Sequence, residues 1–298
     1  MSEREGRRVP IWLIPNLLSL DAPLVAVAWL YIFAQTWRVV YHPWPPYAAL
    51  ALAVWGIYAA DRLFDAHWRR GDGRLRLRHR AHKRLRRVLM VAVPAAFGVA
   101  LWIAMSRLPF AIFSYVVPGG VLVAGFFVSA MLAGRGDEIP YMKNLLAGFA
   151  FSYGTAVGAH VFTSYGMALG GNGYLFTAGV FDLLRSPEML TFGVLCALNI
   201  TAVDVWERSR GLADPEAKAA DEMMLTVPLA LLALVALALA LRAVPTGPIR
   251  PFYYAILVSA ALLLMVNRIK HRFSTDALRV IADICLLAPW LYFVLRDK

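Results

Sequence analysis

Nine apolar runs, each about as long as a bilayer is thick, follow one another along this chain, and their succession restricts the fold more than any single motif. Their approximate bounds are 14–37, 45–66, 87–106, 109–133, 141–163, 188–207, 223–243, 250–268 and 276–295. About 20 apolar residues in a helix cross the hydrocarbon core, where a helix satisfies its own backbone polar groups. The chain is 60% hydrophobic and 16% charged, a balance that excludes an ordinary soluble protein of 298 residues. The expectation is an all-α polytopic membrane protein, one domain over residues 1–298 with nine transmembrane helices.

Punctuation between the runs agrees with this division. Pro45, Pro109, Pro140 and Pro187 stand near predicted helix starts, where a missing N–H costs nothing. GDG at 71–73, GRGDE at 134–138 and GGNG at 170–173 have turn composition, and the connection 163–187 has room for a short surface helix. Cys196 and Cys285 lie inside apolar runs, far apart, which fits small core residues rather than a disulfide or a metal site. The basic start MSEREGRR leads into a long apolar stretch with no small-residue cleavage site, so no removable signal peptide is expected.

The net charge of +11 would suit nucleic acid if it were spread over a surface, but ten of the thirty Lys and Arg residues fall between Arg69 and Arg87 in one loop. A basic loop beside a membrane faces the cytoplasm and its anionic lipids. Membrane lipids, not nucleic acid, are the expected partners. With the N-terminus inside, 23 of the thirty cations lie on the cytoplasmic side and seven outside. The expected placement is an inner membrane of bacterial type, N-terminus cytoplasmic and C-terminus outside.

Against this background the stretch YAADRLFDAHWRR at 58–70 stands out. Asp61 and Asp65 are four residues apart, about 40° around a helix, so both carboxylates point to one side at the cytoplasmic end of the second run. A second polar constellation, NITAVDVWER at 199–208, ends the sixth run on the same side. Carboxylates at such depth are costly unless paired or occupied by cations, which makes a shared functional cavity the default hypothesis. Oxygen ligands from several carboxylates suit Mg²⁺, which completes its octahedron with waters and substrate phosphates. A diphosphate carrying a lipid tail would fit an acidic mouth above an apolar interior.

These motifs resemble the UbiA superfamily of intramembrane prenyltransferases, whose nine helices surround a central cavity with aspartate-rich motifs at the cytoplasmic ends of helices 2 and 6. The family's NDxxDxxxD aligns with IYAADRLFD at 57–65: Asp61 and Asp65 fit, and Ile57 and Tyr58 replace the leading Asn and Asp. Its YxxxK region aligns with IPYMKNLLAGFAFSYGTAVG at 139–158, where Lys143 fits, Ile139 replaces the Tyr, and Gly148, Gly154 and Gly158 match a close-packed helix. The second motif, DxxxD, falls on DVWER. Asp204 takes its first place and Arg208 its second, while Glu207 is one position short and turned by about 100°. Asn199 lies about 140° from Asp204.

The resemblance implies transfer of a prenyl group from a polyprenyl diphosphate to an acceptor that no stretch identifies. Asp61, Asp65 and Asp204 would bind Mg²⁺, Lys143 would assist departure of pyrophosphate, and Asp21, Asn199, Glu207 and Arg208 would contact substrates. Other readings stand beside these roles. Arg208 can instead bridge to Asp204 at i,i+4, and Asp21, two residues before Pro23, can instead cap a broken helix start. Lys143 can be a snorkelling interfacial lysine. His79 and His82 belong to a solvated basic face. Trp12, Trp44, Trp55, Trp68, Trp206 and Trp290 fit interface anchors. The altered second motif also suits a degenerate relative that carries a polyprenyl lipid, quinone or pigment. A CDP-alcohol phosphotransferase would need DGxxAR after its first aspartate, and RLFDAHWRR follows Asp61 instead.

Overall fold

A computed structural model describes residues 11–39, 43–68, 77–132, 141–163, 173–211, 214–244, 247 and 249–296, with backbone alone at 11, 17, 62, 64–68, 77–86 and 173–178. The glycine turns at 71–73 and 134–138, most of that at 170–173, and the side chains of Asp65, Trp68, His79 and His82 lie outside the described residues. What is described is all helical. The helices are α1 (Asp21–Thr36), α2 (Trp44–Trp68), α3 (Leu77–Arg107), α4 (Phe113–Leu132), α5 (Tyr141–Val161) and α6 (Gly173–Arg185). They continue with α7 (Pro187–Ser209), α8 (Pro215–Arg242), α9 (Ile249–Ile269), α10 (Thr275–Leu287) and α11 (Trp290–Arg296).

Six segments are long and apolar enough to cross a membrane: Arg87–Arg107, Phe110–Leu132, Pro187–Ser209, Pro215–Arg242, Ile249–Arg272 and Thr275–Arg296. The protein is thus of integral-membrane type. The other three expected spans are helical too, as α1, α2 and α5, but differ in character. The first run does not form one helix. Ser19 takes a left-handed φ of 59°, the chain breaks there, and α1 begins only at Asp21, leaving 16 residues. α2 ends in the charged stretch of 61–65, and α5 carries Lys143, Asn144, Ser152 and Thr155 among its apolar residues. The expected short helix between the fifth and sixth long runs is present as α6, with Val180 and Leu183 buried and Phe181 exposed.

Local chemistry explains the boundaries. Ser186 accepts from Met189 N at 3.2 Å and Pro187 follows at the first helical position, so α7 starts there. Asp214 and Pro215 repeat this arrangement at α8, with Glu216 N donating to Asp214 at 3.0 Å. Ser274 caps α10 through Ala277 N.

The packed centre lies between α1, α5, α7 and α9. Trp29 stacks on Phe192 with ring centroids 4.1 Å apart, and its Nε1 donates to Leu286 O at 2.9 Å. Phe33, Phe252 and Trp206 complete a nearly solvent-free interior. Outward faces of α3, α4 and α8 expose large apolar side chains such as Val91, Val117 and Leu234, as lipid-facing helices do. Where α5 crosses α7 the backbones touch. A Cβ on Gly148 would lie 2.4 Å from Ala197 N, an impossible approach for any other residue. Gly158 faces Leu30 of α1 at 3.0 Å, whereas Gly154 has nothing within 4 Å, so only two of the three glycines are packing residues.

Candidate functional site

α5 brings the two acidic helix ends to one place. Adjacent residues on a helix point about 100° apart, and Lys143 and Asn144 use that divergence. Lys143 Nζ stands 3.7 Å from Asp61 Oδ1 on α2, with the aromatic face of Phe126 at 5.3 Å on its other side. Asn144, 2% exposed, donates through Nδ2 to Asp204 Oδ2 on α7 at 2.9 Å and to Thr201 Oγ1 at 3.3 Å. The Lys143 charge also reaches Asp204. Asp61, Lys143 and Asp204 therefore form one polar cluster linking three helices. Asp65 lies one turn beyond Asp61 on α2, its side chain outside the described residues.

The cluster extends inward. Tyr58, at the place where the resembled motif has an aspartate, packs edge-on against Phe151 at 6.4 Å and lies within electrostatic reach of Asp21, Asp61, Asp283 and Cys196. The start of α1, the end of α2, α7 and α10 thus surround one region. Asp21 itself is engaged: its Oδ2 accepts from Asn16 Nδ2 at 2.5 Å and its Oδ1 from Ala22 N at 3.0 Å. The chain is broken before α1, whose N-cap is Leu20 with no side-chain cap hydrogen bond. Asn199 is buried, and its Oδ1 has no hydrogen-bond partner among the described residues.

Two charged residues of the second motif turn elsewhere. Glu207 forms an ion pair with Arg279 on α10. Arg208 Nε lies 3.6 Å from Asp221 Oδ2 on α8 rather than beside Asp204. Trp206 is not an interface anchor: it is 1% exposed and donates to Asn267 Oδ1 on α9 at 2.9 Å. Trp12 and Trp44 are exposed as anchors would be, and Cys196 and Cys285 are buried free thiols.

Sequence reasoning passed over Asn144, Asp221, Arg279 and Asp283. A signal existed for the last two, since Arg279 and Asp283 are polar residues four apart in an otherwise apolar run. It existed for Asn144 too, an amide one residue beyond Lys143.

The fit to Mg²⁺ differs between the halves. Asp61, a quarter exposed and beside a lysine, presents a carboxylate that can ligate a divalent ion. On α7 the Glu207 carboxylate is held by Arg279 and one Asp204 oxygen by an amide, so that half fits poorly. Among the described residues no group of three His, Cys, Asp or Glu side chains forms a metal cluster. No family model matches this chain, and no curated protein or solved structure matches it.

Proposed function

We propose that this chain is an intramembrane prenyltransferase of UbiA type, taking a polyprenyl diphosphate and an as yet unidentified acceptor in a cavity among nine membrane-spanning helices. In this reading α1, α2 and α5 count as spans beside the six long apolar segments. The protein sits in a bacterial-type inner membrane, N-terminus and acidic end in the cytoplasm. The observation that carries the proposal is the bridge by which Lys143 and Asn144 draw the α2 and α7 ends together, with Asp61 at 3.7 Å and Asp204 at 2.9 Å. A cation between two anionic helix ends marks a place where an anion and divalent ions can share charge.

Each residue then has a definite task. Asp61, with Asp65 whose side chain lies outside the described residues, would hold a divalent cation, and Lys143 would neutralise charge on the departing pyrophosphate. Mg²⁺ would supply Lewis-acid stabilisation of that leaving group. The allylic C–O bond breaks with its electron pair going to pyrophosphate, and the acceptor nucleophile bonds to the allylic carbon and releases a proton. Asn199 Oδ1, which has no hydrogen-bond partner among the described residues, is suited to receive a hydrogen bond from the acceptor.

Incubating the purified protein with Mg²⁺ and geranylgeranyl diphosphate and measuring released pyrophosphate tests this. Release that disappears in Asp61→Asn supports the enzyme. A second reading, a non-catalytic carrier of a polyprenyl lipid, quinone or pigment, is favoured by the Glu207–Arg279 and Arg208–Asp221 pairs, which withdraw charge from the resembled second motif. Tight lipid binding without any pyrophosphate release would select it.

A further inference from the structure

Asn199 belongs to a stripe of α7 that also carries Cys196, Val203 and Glu207, four positions that fall within about 80° of one another around the helix. Both ends of this stripe face α10: Glu207 pairs with Arg279, and Asp283 lies within electrostatic reach of Cys196. Asn199, 8% exposed, therefore points into the same seam, where its Oδ1 has no hydrogen-bond partner among the described residues. A buried carbonyl oxygen without a donor is costly, and a donor brought by a ligand relieves that cost.

The charge along the seam is one-sided. Asp21 of α1, Asp61 of α2 and Asp283 of α10 all lie within electrostatic reach of Tyr58, as Cys196 does, and among the described residues no cation does. Of the neighbouring cations, Lys143 stands against Asp61 and Arg279 against Glu207. The donors to Asp21 are neutral amides, Asn16 Nδ2 and Ala22 N, which leave its charge in place. Asp21, Tyr58 and Asp283 are each partly exposed, so the seam is not sealed.

A carboxylate entering here would meet like charge from three helices where water screens it little. A protonated amine suits the field but has no lone pair with which to form a bond. A neutral hydroxyl meets both conditions, since its O–H can donate to Asn199 Oδ1 while its oxygen keeps lone pairs. We propose that the acceptor bound here is an uncharged hydroxyl compound, an alcohol or a phenol without a carboxylate, held by Asn199 and selected against anions by Asp21 and Asp283. This rests on the prenyl-transfer reading above and names its acceptor class. In the reaction the hydroxyl oxygen bonds to the allylic carbon, the allylic C–O bond breaks with its electron pair going to pyrophosphate, and the hydroxyl proton leaves to solvent.

4-Hydroxybenzyl alcohol and 4-hydroxybenzoate share a ring and differ in charge at neutral pH, so equilibrium dialysis of each against the purified full-length protein in detergent separates the classes. The alcohol should bind roughly tenfold tighter or more. Asn199→Leu should weaken the alcohol by about tenfold. Asp283→Asn, which keeps the shape and removes a charge, should strengthen benzoate binding several-fold. Benzoate binding as tight as the alcohol, failure of both rings to bind, or alcohol binding untouched in Asn199→Leu overturns the proposal. Should Asn199→Leu not fold, Asp283→Asn decides alone, and benzoate affinity unchanged there overturns it. Pyrophosphate release is measured apart from this. A preference for the anion removes the acceptor class and leaves prenyl transfer standing, whereas preference for the alcohol without any release keeps the ligand class and removes the transfer.

Discussion

Lys143 and Asn144 are neighbours in the chain, yet one reaches Asp61 on α2 and the other Asp204 on α7. Both contacts come from the first turn of α5, so the separation of the two acidic ends is set by a single helix terminus. A shift of α5 along its axis would break both at once.

Asn144→Leu removes the amide and leaves Asp204 and Thr201 without that donor. The expected loss of stability is about 1–3 kcal/mol, the usual cost of orphaning buried polar groups. Thermal unfolding in detergent measures it, and a melting temperature unchanged from the parent protein would show that the bond holds nothing.

Arg208→Asp would give α7 the DxxxD spacing of the resembled motif, but it would face Asp221 where Arg208 now stands at 3.6 Å. We expect destabilisation of roughly 1–2 kcal/mol, below that of a fully buried pair because about a third of Arg208 is exposed. Adding Asp221→Arg in the same chain should recover most of it. If Arg208→Asp instead tightens Mn²⁺ binding without loss of stability, position 208 faces the proposed cation site.

Pyrophosphate should stabilise the protein only together with a divalent ion. At about 100 times its dissociation constant a ligand adds about 2.7 kcal/mol, which a thermal melt detects readily. Excess EDTA should abolish the increase while leaving the ligand-free melt where it was. An EDTA-resistant increase would mean that Lys143 and other cations hold the anion unaided.

The orientation is open to direct labelling. A cysteine placed at position 73 should resist an impermeant thiol reagent applied outside whole cells, and one at 298 should react. Native Cys196 and Cys285 are buried and should stay silent. The opposite pattern would put the acidic ends on the outer surface.

The helices were legible because each apolar run is bounded by residues with a local reason to stop or start one, as Ser186 and Pro187 show at α7. What escaped was the partner chosen by each polar side chain. Arg208 has Asp204 four residues earlier, the favoured spacing on an isolated helix, but α8 folds back and offers Asp221, whose side chain is 4% exposed. Trp206 read as an interface residue from its place near a helix end, yet that end is enclosed by α8, α9 and α10. The break before α1 was open to reading from Asp21 and Pro23, but the partner that Asn144 reaches leaves no trace in the sequence. Three-dimensional neighbours decide such contacts, and the linear spacing of charges does not encode them.

Gly148 lies one turn along α5 from Asn144 and on the same face, where the α5 and α7 backbones meet. It has no functional group, yet any side chain at 148 would wedge the helices apart and stretch the 2.9 Å bond between Asn144 and Asp204. A residue with nothing to offer a substrate would then govern whether the mouth stays assembled. Loss of function from Gly148→Ala would be a failure of spacing, and because the opposing atoms are backbone of Ala197 and Gly193, neither a smaller side chain across the gap nor any change to the charged groups would rescue it.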